Sequence, residues 1–266
     1  MAVEAFAPAK VNLSLHVTGR RQDGYHELDS LVVFADIGDR IEVELSDSPS
    51  LVVEGEMAAG VPTDATNLVM KAQKLMGVSA SVRLYKTLPN AAGLGGGSSD
   101  AAAVIRAVSE LSGAPIPGDV LSLGADVPAC LVGTALRMRG LGERITQVSG
   151  LPTLNAVLVN PNVPVPTRDV FERLETPSNA PMPDDMPEGI SAADFALWMR
   201  DLRNDLEPPA ILLQPVIAQV LGAFSVTPGC QLARMTGSGA TCFGIYGDAE
   251  TASSAAGRLR EAFPGW

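Results

Sequence analysis

Histidine and cysteine are scarce in this chain of 266 residues, with two of the first and three of the second. Cys130, Cys230 and Cys242 lie far apart, form no Cys-x-x-Cys pair and are odd in number, which argues against a disulfide framework and for a reducing compartment. Neither they nor the two histidines have the spacing of a structural metal site, so no metal held by the protein itself is expected. Positive charge is also short: 19 Lys and Arg against 30 Asp and Glu leave a net charge of −11. Proteins that coat nucleic acids neutralise phosphates with Lys and Arg, so a nucleic-acid partner is not expected. No apolar run reaches the ~20 residues of a membrane helix. The longest candidate, Ile211 to Phe224, is broken by Gln214, Pro215 and Gln219. Residues 1–10 lack the basic and then apolar order of a secretory leader. By elimination the expected location is the cytoplasm. What remains is a globular balance, 46 % apolar and 18 % charged, with enough chain for one large or two modest domains.

Periodicity supplies a coarse map. Glu4 to Val17 reads as two short strands interrupted at Pro8, with Val11, Leu13 and Leu15 alternating with Asn12, Ser14 and His16. Leu28 to Ala35 and Arg40 to Leu45 read as strands joined by a turn at Gly38-Asp39. Further strands are expected at Leu51–Glu54, Ser81–Lys86, Ala135–Met138, Arg144–Val148, Asn155–Val159, Leu232–Met235 and Thr241–Tyr246. Helical spacing covers Asn67–Met76, Ser98–Leu111, Ala192–Arg203, Ala210–Phe224 and Ala249–Ala262. The four prolines of Thr176–Gly189 mark a surface loop. A joint near Ser149-Gly150 divides the chain into domains 1–152 and 153–266.

The most informative segment runs from Pro89 through Gly93-Leu94-Gly95-Gly96-Gly97-Ser98-Ser99 into a helix. Glycines let main-chain N–H groups approach a ligand, and a helix that starts there adds unpaired donors and a positive dipole end. Together these form an anion site, and phosphate is the commonest anion. The Lys-Ser/Thr of a Walker A loop is missing, and the spacing of a Rossmann fingerprint fails. A plain helix cap is the competing reading, but four glycines in five residues exceed what a cap needs.

Three motifs in order resemble those of the GHMP kinases, the superfamily of galactokinase, homoserine kinase and mevalonate kinase. They are Pro8-Ala9-Lys10-Val11-Asn12-Leu13, Pro89 to Ser99, and Met235-Thr236-Gly237-Ser238-Gly239-Ala240. Arg21-Gln22-Asp23-Gly24-Tyr25-His26-Glu27-Leu28 and Gly124-Ala125-Asp126-Val127-Pro128 narrow the resemblance. They are similar to the branch that phosphorylates the 2-hydroxyl of 4-diphosphocytidyl-2-C-methyl-D-erythritol, in the non-mevalonate route to isoprenoid precursors. The resemblance implies an α+β fold, a two-layer α/β arrangement in two domains with the active site between them. It implies ATP with Mg²⁺ and a small substrate carrying a cytidine diphosphate group. Apart from the resemblance, a monomer or weak homodimer is expected.

The same resemblance assigns residues. Lys10, on its own an ordinary solvated lysine, becomes the cation that holds the acceptor hydroxyl. Asp126, by spacing a turn or cap residue, becomes its ion-pair partner and base. Gly93, Leu94, Gly95, Gly96, Gly97, Ser98 and Ser99, with Pro89, are expected around the triphosphate. Asn67 and Lys86 are expected beside the adenine and sugar, although a helix cap and a strand-end surface lysine explain them equally. Tyr25 and Phe171 are expected to sandwich the cytosine and His26 to read its polar edge; Phe171 also fits an ordinary helix core position. Asn12 and Thr167 are expected as polar contacts to the substrate. Gly237 and Ser238 read on their own as a hairpin turn; beside the main loop they are expected to close over the substrate's phosphates or to steady the phosphate loop. The alternatives are another GHMP kinase, of homoserine or mevalonate type, and a nucleotide-binding regulator without catalysis.

Overall fold

The computed structural model describes residues 2–266. Its spine is a pair of long antiparallel strands, β1 (Ala2–Arg20) and β2 (His26–Leu45), registered along nearly their whole lengths. The expected interruption at Pro8 and turn at Gly38-Asp39 are both absent. Pro8 and Gly38 lie opposite each other, and the register shifts between Pro8 and Lys10. A bulge accommodates the missing proline N–H. Gly38 is required by closeness, since a Cβ there would meet Ala7 O at 2.3 Å.

The far edge of β2 is shared. Arg40–Leu45 pair with β4 (Ala80–Tyr85), and Leu28–Val32 pair with β5 (Leu136–Gly140). β3 (Ser50–Glu54) adds parallel to β4, and β6 (Arg144–Gln147) antiparallel to β5, which completes a six-stranded sheet. Helices α1 (Leu68–Met76) and α2 (Gly96–Ser112) cover it, with Val69, Ala72, Val104 and Val108 buried against Ile41, Val43, Val82 and Leu84. A short α3 (Val127–Val132) packs on α2. Between α2 and Asp126 the chain forms a 3-10 turn, Val120–Leu123.

The sheet changes between Gln147 and Asn155. β7 (Asn155–Val159), β8 (Cys230–Met235) and β9 (Cys242–Tyr246) form a three-stranded antiparallel sheet in the order β7-β9-β8. Around it lie α4 (Thr167–Glu172), α5 (Ala192–Met199), α6 (Glu207–Leu213), α7 (Val216–Ser225) and α8 (Ala249–Ala262). α4 lies outside the segments that show helical spacing, and it agrees with the helix position allowed for Phe171. Gln214 and Pro215 split the expected helix over 210–224 into α6 and α7, because proline cannot donate within a helix.

β1 belongs to both halves. Leu15 and Val17 pack with Ile217, Val220 and Phe224, while Val11 and Leu13 pack with Phe195, Met199 and Phe243. Each fully buried ring contributes roughly 2 kcal/mol. Cover on both faces corrects the half-buried reading of this strand: Asn12, Ser14 and His16 are as buried as the leucines between them. The proline-rich segment is likewise more than a surface loop. Met182 is buried, its N–H bonds Asp29 Oδ2, and Arg137 donates to the carbonyls of Met182 and Pro183.

Candidate active site

The glycine segment turns twice through the left-handed region, at Gly93 (φ 76°) and Gly95 (φ 62°), and α2 starts at Gly96. No side chain caps this helix, so its first-turn N–H groups are not consumed by a capping residue. The loop is bound to β1 at two points. Lys10 N–H donates to Leu94 O at 2.9 Å, and Ser99 Oγ donates to Pro8 O at 2.8 Å.

Those bonds set Lys10 beside the loop, where its side-chain stem would lie 3.3 Å from a Cβ added to Gly95. Its Nζ stands 2.7 Å from Asp126 Oδ1, with the lysine 5 % and the aspartate 31 % exposed. Asp126 immediately precedes α3 yet makes no capping bond; its carboxylate is spent on Lys10 instead. The pair and the loop line one cleft of about 390 Å³, together with Asn12, Thr167, Phe171, Gly237 and Ser238. A buried ammonium held to a carboxylate next to an array of free N–H groups can fix a hydroxyl, take its proton and neutralise phosphate charge.

Opposite the loop, Thr167 Oγ1 and Ser238 Oγ lie 2.8 Å apart. Asn12 is held by its main chain to Thr236 Oγ1 and by Nδ2 to Ser30 Oγ, while its buried Oδ1 has no hydrogen-bond partner. An orphaned acceptor on a residue that lines a cleft is a candidate contact for a ligand donor.

Several expected residues lie elsewhere. Phe171 stacks on His26, at 4.9 Å between ring centroids and 21° between planes, so His26 and not Tyr25 faces it. Burial first, and then Arg20, push the His26 imidazole below its usual range. Tyr25 is 66 % exposed in the turn between β1 and β2, because that turn is held by its main chain to Asp23 and Arg21 and not by its ring. Asn67 caps α1 through Val69 N–H, and its Nδ2 donates to Pro62 O, so capping consumes the amide expected beside the adenine. Leu68 lines the cleft in its place. Lys86 is not a surface lysine: its Nζ is buried between Asp39 (2.5 Å) and Asp100 (2.9 Å), behind the loop. Leu94 and Ser99 are buried as support for the loop, and Pro89 does not line the cleft. Sequence reasoning missed Asp39 and Asp100 as partners of Lys86, because they lie 47 and 14 residues from it and no local pattern links them.

The geometry agrees with comparison to known proteins. The family description "GHMP kinases N terminal domain" matches residues 63–134, and "GHMP kinases C terminal" matches residues 188–265. A 4-diphosphocytidyl-2-C-methyl-D-erythritol kinase of Dinoroseobacter shibae is 53 % identical over 99 % of this chain and 92 % of its own. One from Cereibacter sphaeroides is 51 % identical over 99 % of this chain and 96 % of its own. A crystal structure of 4-(cytidine 5'-diphospho)-2C-methyl-D-erythritol kinase superposes with a TM-score of 0.80 at 34 % identity, covering 98 % of this chain and 96 % of that one. Full-length similarity of this order, with both domain descriptions matched in sequence, places the chain: it belongs to the GHMP kinases and is a small-molecule kinase that draws its phosphate from ATP.

Proposed function

We propose that the chain transfers the γ-phosphate of ATP to the 2-hydroxyl of 4-diphosphocytidyl-2-C-methyl-D-erythritol, and so serves the non-mevalonate supply of isoprenoid precursors. The observation that carries the reading is the Lys10–Asp126 pair standing beside an uncapped, glycine-opened helix in one cleft. The relatives' shared activity supports the choice of substrate.

In this reading the N–H groups of Gly95 to Ser98 receive the triphosphate and spread its charge. Lys10 holds the acceptor oxygen and lowers its proton affinity. Asp126 takes that proton as the new O–P bond forms and the bond to the ADP oxygen breaks. Asn12 Oδ1 and the Thr167–Ser238 pair orient the polar substrate. Phe171 offers a ring face to the cytosine, with His26 beside it; stacking is worth roughly 1–3 kcal/mol per base. Mg²⁺ enters as the counter-ion of the triphosphate. A hard cation of this kind is held chiefly by phosphate and water oxygens. The halves 1–152 and 153–266 act as two domains that each present one wall of the cleft.

The test is ATP consumption with the cytidyl substrate, homoserine and mevalonate compared in parallel. Turnover confined to the cytidyl compound is expected. Preference for either smaller alcohol would reassign the substrate, and no turnover with any of them would favour a non-catalytic regulator.

A further inference from the structure

Directly behind the glycine loop lies a buried ionic cluster that neither the transfer step nor substrate recognition uses. Lys86 Nζ bridges Asp39 Oδ2 and Asp100 Oδ2, and all three side chains are at most 4 % exposed. The cluster supports the loop from beneath: a Cβ added to Gly96 would stand 3.4 Å from Lys86 Nζ and 3.9 Å from Asp39 Oδ2. Asp100 lies on α2 itself, one turn after Gly96.

Two carboxyls here face one ammonium, and they are not equivalent. Asp39 accepts from Lys86 on one oxygen and from the N–H groups of Thr87 and Leu88, at 2.6 and 2.9 Å, on the other. Asp100 accepts only from Lys86, and its buried Oδ1 has no partner. A carboxylate sealed from water needs donors to remain ionised. A proton is therefore best placed on Asp100, the carboxyl with fewer donors. Were both ionised, the cluster would carry a net negative charge under a helix end that must receive a triphosphate.

We propose that Asp100 is a positioning residue for the nucleotide: as a neutral acid it completes a charge-balanced floor with Lys86 and Asp39, and on ionising it turns that floor against the triphosphate. The proposal rests on the seating of ATP at Gly93 to Ser98. Burial raises the Asp100 carboxyl most, Lys86 opposes it and Asp39 adds to it, with a result of about 7. The neighbouring elements contribute few other charges. β2 supplies Asp39, and the residue after β4 is Lys86. β1 supplies Lys10, which is paired with Asp126. α3 supplies Cys130, whose thiol burial pushes up to about 12. α2 adds Arg106, which donates to Cys130 O, and α1 presents the uncharged Gln73 while its Lys71 and Lys74 are exposed.

The experiment measures ATP affinity calorimetrically for the full chain and for Asp100→Asn between about pH 6 and about pH 8.5, with Mg²⁺ constant. ATP's own titration is common to both proteins and cancels in the ratio. The wild type is expected to weaken about fivefold relative to the variant as pH rises through this window, with the difference in KM for ATP and none in kcat. A role in folding alone would shift Tm but leave the ratio flat, and a flat ratio overturns the proposal. Failure of both proteins to bind ATP at every pH brings down the nucleotide seat and the proposal with it. If Asp100→Asn does not fold, carbon-13 spectra of aspartate-labelled wild type carry the test. An aspartyl carboxyl titrating near 7 whose titration moves upward when ATP is added supports the proposal; one that ATP does not shift, or no such carboxyl, overturns it.

Discussion

The two glycine turns of this molecule look alike in sequence and do different work. The first, Gly93 to Gly97, leads into a helix of 17 residues and leaves its opening N–H groups uncapped beside the cleft. The second, Gly237 to Gly239, joins two strands and presses its backbone against the first turn. A Cβ on Gly93 would meet Thr236 O at 2.5 Å, and one on Gly237 would meet Gly93 O at 2.7 Å. Asn204 Nδ2 ties the second turn down through the carbonyls of Met235 and Gly237. Glycine density by itself therefore does not distinguish a ligand seat from a packing joint. The element next in the chain does: a helix exposes donors to a ligand, and a strand returns them to its neighbour.

The sharpest way to break this comparison is Gly93→Ala. The position combines φ 76° with a clash against main-chain oxygen that cannot move cheaply, so the substitution should destabilise by about 3 kcal/mol or more. Urea unfolding checks it, and an unchanged midpoint would show that the two turns do not pack as described. Asp126→Asn leaves both turns untouched. It should lower kcat about 10²-fold and spare ATP affinity, with some loss of stability because the buried Lys10 loses its charge partner; steady-state kinetics that show full turnover would remove the proposed base. Gly97→Ala separates seat from joint. Its Cβ would make an ordinary 3.7 Å contact with Leu68, so stability should hold or rise by ~0.5 kcal/mol, while KM for ATP rises roughly threefold. Parallel movement of the two quantities would contradict a ligand role for this glycine.

The smallest effect concerns a contact on β1 that touches neither turn. His16 donates from Nδ1 to Ala180 O and accepts Arg203 N–H on Nε2, so it is held neutral, and burial first and then Arg203 lower its pKa. A histidine depressed in the folded state stabilises above its unfolded value and loses that contribution as pH falls. Wild-type Tm should therefore drop below about pH 6.5 more steeply than that of His16→Gln; parallel curves from thermal melts would refute the neutral assignment.

Local signals carried much of this architecture. α8 matches its expected bounds, Asn67 and Gly77 bracket α1, and the glycine run announces the start of α2. The Lys10–Asp126 pairing came from the family resemblance, since each residue alone reads as ordinary. The features that escaped were non-local. Two strand breakers, Pro8 and Gly38, are harmless because they face each other, a fact that exists only once β1 and β2 pair. Lys86 reads as a surface residue until Asp39 and Asp100, 47 and 14 residues away, close on it. Tyr25 and His26 are adjacent in sequence, but strand geometry sends only one of them to Phe171.

The two bonds that join Pro8 and Lys10 to Leu94 and Ser99 act as a yoke between donor and acceptor sites. The segment bearing the ammonium and the bend that receives the nucleotide cannot be displaced independently. Damage on one side must be felt on the other, so paired substitutions across the yoke should be strongly non-additive. Evolution of a new acceptor in this scaffold must then proceed from the far wall of the cleft, where Phe171 and Thr167 can change without dragging the phosphate seat along.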